Sequence, residues 1–210
     1  MGKTKGIQKT DQSTEEKIKA AARIVFLQKG FAATRTRDIA DEAGINLALL
    51  NYYFRSKAKL FEIIMLETFA GFLQQLALIV NDEKTSLYEK VQCIAERYID
   101  FIIQEPEIPT FLITEVRSNP RELLKRIPIR QTIRQSVFVA QYNEAVEQGE
   151  IAATNPLHFL INLIGLVVFP FIAKPMIMAG GNLDTTTFNV LMVQRKQWIP
   201  IWMKAMMKTQ

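Results

Sequence analysis

The chain has 210 residues, 49% hydrophobic and 22% charged, which suits one ordinary domain or two small ones with a buried core and excludes a disordered chain. A single cysteine, Cys93, and a single histidine, His158, exclude an intramolecular disulfide, a His/Cys-rich zinc site and any nucleophile–histidine pair not built on His158. The net charge of +5 is uneven: residues 1–60 carry 12 basic and 6 acidic side chains and residues 61–210 carry 14 and 15, so a basic part suited to a polyanion precedes a neutral remainder.

Residues 1–12 are polar and basic with no apolar stretch behind them, which reads as a flexible basic tail and not a signal peptide. Ser13-Thr14-Glu15-Glu16 forms a capping-box pattern, and Ile18, Ala21, Ala22 and Val25 repeat at helical spacing. The spacing predicts a helix over Thr14–Lys29, stopped by Gly30, with Lys17, Lys19, Arg23 and Lys29 on a solvated face. Thr34 is placed to cap a short helix, Arg35–Ala43, ended by Gly44; Asn46 is placed to cap another, Leu47 to about Tyr53. Two short helices joined through Gly44-Ile45 make a helix-turn-helix, with Ala40 small enough for close approach and Ile39, Ala43, Ile45, Leu50 and Phe54 sealing its interior.

Ser56 caps a longer helix from Lys57 to about Val80. Further helices are predicted near Ser86–Gln104, Pro109–Ser118, Glu122–Gln148, Pro156–Ala173 and Thr186–Lys208, with Pro128 and Pro200 kinking or splitting two of them. Leu157–Ala179 resembles a membrane span, but it is broken by Pro170 and Pro175 and its apolar core, Leu163–Ala173, falls short of the roughly 20 residues a span requires. No run reads as a strand. The expected fold is all-α: residues 1–60 form a three-helix unit containing the helix-turn-helix, and residues 61–210 form a larger helical domain.

At about 100° per residue, Ala48, Leu49, Asn51 and Tyr52 project from the third helix, opposite Leu50 and Phe54. Such a face suits the major groove: a small residue for approach, an amide able to pair with adenine, and apolar atoms for thymine methyls. Leu47 and Leu49 are candidates for the methyl contacts, and the Tyr52 and Tyr53 hydroxyls for phosphates. Thr36, Arg37, Arg55, Lys57 and Lys59 surround the face, Lys57 in a helix first turn where free N–H groups favour anions.

Residues 14–64 resemble the DNA-binding domain of the TetR family of transcriptional regulators. The resemblance rests on Arg37-Asp38-Ile39-Ala40, Ala43-Gly44-Ile45, Tyr52-Tyr53-Phe54 and Ser56-Lys57. It implies DNA contacts for Thr36, Arg37, Asn46, Leu47, Leu49, Asn51, Tyr53 and Lys57. Leu47 and Leu49, where polar or basic residues are common, and Asn51, where Tyr is common, imply a different operator sequence from better-known relatives. The resemblance also implies a variable helical domain that binds an effector and moves the DNA-binding heads, and a dimer closed by a four-helix bundle.

Residues 65–210 hold 9 of the 13 Phe and both Trp, a composition that fits an ordinary core and equally a pocket for an apolar ligand. Phe101, Phe111, Phe138 and Tyr142 are candidate lining residues, with Gln104 or Arg117 as polar anchor. Leu163, Leu166 and Val167, with Leu191, Trp198 and Trp202, are the candidate dimer face. His158 and Cys93 read as structural residues. The expectation is a cytoplasmic, non-enzymatic regulator without cofactor or metal, most simply a repressor. As a dimer it would bind a palindromic DNA operator whose half-sites lie ~34–36 Å apart. A small hydrophobic or aromatic effector would release it, and no membrane is involved. The alternative is a helical carrier or enzyme for hydrophobic small molecules, with the basic N-terminal part as a cap.

Overall fold

The computed structural model describes residues 4–127 and 136–206. Every regular element among them is a helix: α1 (Thr4–Ala33), α2 (Thr36–Ala43), α3 (Leu47–Phe54), α4 (Lys57–Val80), α5 (Leu87–Gln104), α6 (Ile108–Ser118), α7 (Pro120–Arg126), α8 (Val137–Glu147), α9 (Pro156–Ile172), α10 (Lys174–Gly181) and α11 (Thr185–Met206). The all-α expectation holds. The chain divides into two compact units, Met1–Thr68 and Phe69–Gln210, so the division falls inside α4, eight residues beyond the boundary drawn from charge.

In the first unit, α1 starts ten residues earlier than the capping box suggests. Residues 4–12 are helical and not a loose tail. Their carbonyls supply the backbone acceptors that Ser13 would have replaced, so Ser13–Glu16 lie inside the helix. Gly30 ends the regular run as expected: at φ 72°, ψ 163° it breaks the helix before one last turn to Ala33. Ile18, Ala22, Ile39, Leu50, Leu60 and Ile64 are fully buried and form the core, joined by an edge-to-face contact of Phe26 on Phe61 at 5.1 Å. Lys19 is not solvated. It is buried between Glu16 (2.7 Å) and Glu67 (2.8 Å); burial pulls its pKa down, but bonding to the two carboxylates outweighs that and leaves it raised.

In the second unit α5 packs against α11, α9 and α8, and α9 also meets α11 and α6. Val91, Ala95, Ile99, Phe188, Met192 and Ile199 lie at the centre. A true capping box starts α5: Ser86 Oγ accepts the Glu89 N–H, and Glu89 Oε2 accepts the Ser86 N–H at 2.8 Å. The turn before it is closed by Lys90, fully buried, whose Nζ donates to the Asp82 carbonyl, the Thr85 carbonyl and Thr85 Oγ1.

The long helix expected over Glu122–Gln148 is two described helices, α7 and α8; Pro128 and its neighbours to residue 135 lie outside the described residues, as do Met207 and Lys208 at the end of the last expected helix. The Pro156 helix ends at Ile172, where Pro175 starts the separate α10, bent from α9 by 65°. By contrast α11 continues through Pro200. By length and composition α4 is also apolar enough to cross a membrane, a likeness the sequence reading gave only to Leu157–Ala179. Leu60, Ile64, Phe69, Phe72 and Leu76 of α4 are buried in the two units.

Candidate nucleic-acid interface and ligand cavity

The corner between α2 and α3 is a tight left-handed turn. Gly44 sits at φ 60°, ψ 40°, its N–H bonding to the Asp41 carbonyl (3.1 Å), while the Ile45 N–H bonds to Ala40 (3.0 Å). Asn46 Oδ1 accepts the Leu49 N–H at 2.8 Å and so caps α3, as the sequence predicts. The cap of α2 differs. Thr34 is buried and its hydroxyl donates to the Gly30 carbonyl at 2.7 Å, closing the end of α1. Arg35 takes the cap position, and Asp38 Oδ2 reaches back to its N–H at 2.9 Å. That bond, then the Lys29 ammonium at 3.2 Å, holds the Asp38 carboxyl below its usual range.

The outward face of α3 is Ala48, Asn51 and Tyr52, with Tyr52 78% exposed. Tyr53 is half-buried and edge-on to Tyr52 at 5.4 Å. Leu47 and Leu49 are half-buried as well, so they lie beside the face more than on it. Thr36 is half-buried and Arg37 exposed, both at the start of α2. Arg55, exposed, follows α3 at φ 56°, ψ −38°, a strained conformation for a side-chain-bearing residue.

Lys57 is the correction in this group. Its ammonium donates to the carbonyls of Phe31 and Thr34, each at 2.7 Å, and lies 4.4 Å from the centre of the Phe31 ring. The side chain ties the end of α1 to the start of α4; what remains for an anion there is the backbone at the α4 N-terminus. Ser56 caps that end, its Oγ accepting the Lys59 N–H at 3.1 Å.

The second unit contains a cavity of about 520 Å³. Its apolar lining includes Phe69, Leu73, Leu76 and Ala77 of α4, Ile94 and Tyr98 of α5, and Phe138, Leu160, Leu163 and Ile164; Gln74, Arg126 and Ser136 supply the polar groups. Of the six residues expected there, only Phe138 lines it. Phe101 instead stacks face to face on Phe72 at 4.0 Å. Tyr142 is buried with its hydroxyl on Thr154 Oγ1 at 3.0 Å. Gln104 and Arg117 are exposed in the last turns of α5 and α6, and Phe111 is half-buried on α6.

The proposed dimer face is also redrawn. Leu163 and Val167 are buried within the chain, on the stripe Phe159–Leu163–Val167–Pro170. Leu166 is half-buried, its carbonyl accepting Arg195 Nη2 at 2.7 Å. The large apolar side chains left exposed on α9 are Leu157, Ile161, Ile164, Phe169 and Ile172; on α11 they include Val190, Leu191, Trp198 and Ile201. Trp202 is half-buried and stacks on Trp198 at 6.2 Å. His158 is exposed on α9, not a core histidine, and Cys93 is half-buried.

A capped helix-turn-helix presenting an amide, a tyrosine and flanking arginines, followed by an all-helical unit with an apolar cavity, defines a DNA-binding regulator. Residues 18–64 match the model of the bacterial regulatory proteins of the tetR family, so this stretch is a DNA-binding domain of that type. It is 27% identical over 164 residues to the Probable HTH-type transcriptional regulator YttP of Bacillus subtilis, covering 76% of this chain and 78% of YttP. It is 34% identical over 111 residues to the HTH-type transcriptional repressor NicS of Pseudomonas putida, about half of each chain (51% and 50%). A solved structure of a TetR/AcrR-family regulator from Thermobifida fusca superposes with a TM-score of 0.68 at 21% identity, covering 90% of this chain and 96% of that one. The shared fold includes both units.

Proposed function

We propose that this chain is a repressor that binds a palindromic operator as a homodimer and is released by a small apolar effector. The observation that carries the reading is the outward face of α3, where Ala48, Asn51 and Tyr52 are exposed, with Arg37 at the start of α2 and Arg55 just after α3 exposed as well. Asn51 reads a base edge, Tyr52 and Tyr53 approach the backbone, and the arginines neutralise phosphates. Thr36 and the Asn46 amide lie at the helix starts facing the same groove, and Leu47 and Leu49 lend apolar contact at its margin. The relative named as a repressor supports the sign of regulation.

The exposed apolar strips of α9 and α11 pair with those of a second copy, which gives the two heads the two-fold symmetry a palindrome requires. The effector enters the 520 Å³ cavity, whose size and apolar walls suit a small organic molecule. To release the DNA it must favour the unbound state, typically by ~1–3 kcal/mol. Fluorescence anisotropy with DNA from the chain's own promoter region tests the reading. Specific binding at least a hundredfold tighter than random DNA at matched salt is expected. Equal affinity for the two would overturn it.

A further inference from the structure

The cavity wall includes a buried tyrosine with no hydrogen-bond partner among the described residues. Tyr98 lines it and is only 7% exposed, and its hydroxyl forms no hydrogen bond among the described residues. Its neighbours are apolar: Phe72 meets the ring edge-to-face at 4.7 Å, and Ile94 lies one helical turn away on the same wall. Burial alone pushes the phenol upward, so it stays protonated throughout the physiological range, a donor as well as an acceptor. The contrast with Tyr142 is direct, because that equally buried tyrosine has Thr154 beside its hydroxyl. Tyr98 belongs to the wall of the cavity, beside space that a ligand can fill.

We infer that Tyr98 is the polar anchor of the effector, which is an apolar, drug-sized molecule carrying one hydrogen-bonding oxygen, a hydroxyl or carbonyl, at its buried end. This rests on the effector-pocket reading above and gives it a chemical class. The apolar body lies among Phe69, Leu73, Leu76 and Leu163, and the oxygen meets the phenol. The exposed Gln74 and Arg126 leave the outer end of the cavity tolerant of a polar substituent. Specificity follows from the cost of leaving a buried hydroxyl unpaired: a ligand of the same shape without the oxygen displaces whatever solvates the phenol and returns nothing.

The test uses the full chain and two probes of matched shape, 4-phenylphenol and biphenyl, the second titrated in competition with the first. The wild type should bind 4-phenylphenol roughly tenfold more tightly. In Tyr98→Phe the two affinities should converge to within about twofold, with biphenyl bound no more weakly than before. The ligand-free variant should melt no lower than the wild type, because the hydroxyl it lacks has no partner among the described residues. An undiminished tenfold gap in Tyr98→Phe, or a clear fall in its ligand-free Tm, would overturn the anchor while leaving the pocket standing. Ala77→Trp, which fills the cavity from α4, separates the two ideas. If that folded variant binds both probes as the wild type does, or the wild type binds neither up to the solubility limit, the pocket reading itself fails.

Discussion

Arg55 and Lys57 are two residues apart and both cationic, yet they have opposite duties. Lys57 gives two donors to main-chain carbonyls at the end of α1, so Lys57→Met should destabilise the protein by about 1–3 kcal/mol, read as a lower urea midpoint. A phosphate role for that ammonium would show instead as a smaller salt slope with unchanged stability. Arg55 is strained and exposed, so Arg55→Gly should raise stability by about 1 kcal/mol. It should also reduce the slope of log K against log salt by about 0.9. Asp38 supplies a pH signature: its carboxyl is held low by the Arg35 N–H and then by Lys29, so its stabilisation is full above about pH 4–5 and fades as pH falls further. The difference in Tm between wild type and Asp38→Asn should therefore be present at pH 7 and shrink progressively as the pH is taken below about 4. None of these partners is legible in residue type. Sequence marks Lys57 as a cation in a helix first turn, and only the fold shows that the end of α1 lies within its reach.

Among the elements, those with an end signal and a single apolar stripe were legible, and those with neither were not. Asn46, Gly44, Ser56 and Ser86 mark helix ends because their local chemistry satisfies backbone groups whatever the surroundings. Ser13 carried the same signal and was overridden, because a helix already running through residues 4–12 leaves no free end to cap. In α9 nearly every side chain from Leu157 to Ile172 is apolar, so periodicity could not say which stripe faces inward; Leu163 and Val167 went to the wrong side for that reason. Pocket residues were the least legible, since Phe101 and Phe69 look alike in sequence and only packing decides which meets open space. Lys90 tests the element scale. Replacing it with Met strands the Asp82 and Thr85 oxygens that close the turn between α4 and α5, and should cost roughly 2–3 kcal/mol in a urea titration.

For the whole molecule, the strips on α9 and α11 are the test of assembly. Ile161, 65% exposed in the single chain, is too apolar to be isolated in water beside Leu157 and Ile164. Ile161→Asp should shift sedimentation from dimer to monomer and weaken operator binding at least tenfold, with helicity by circular dichroism unchanged. One feature of the same strip makes the state of the protein visible without a label. The only two tryptophans of the chain stand four residues apart on α11, their rings 6.2 Å apart, with the Arg195 guanidinium 5.0 Å from Trp202. All indole emission therefore originates from one patch a few ångströms across, an optical gauge fixed at the face where two copies would meet. Diluting the protein through its dissociation range should shift that glow to the red as Trp198 becomes wetter.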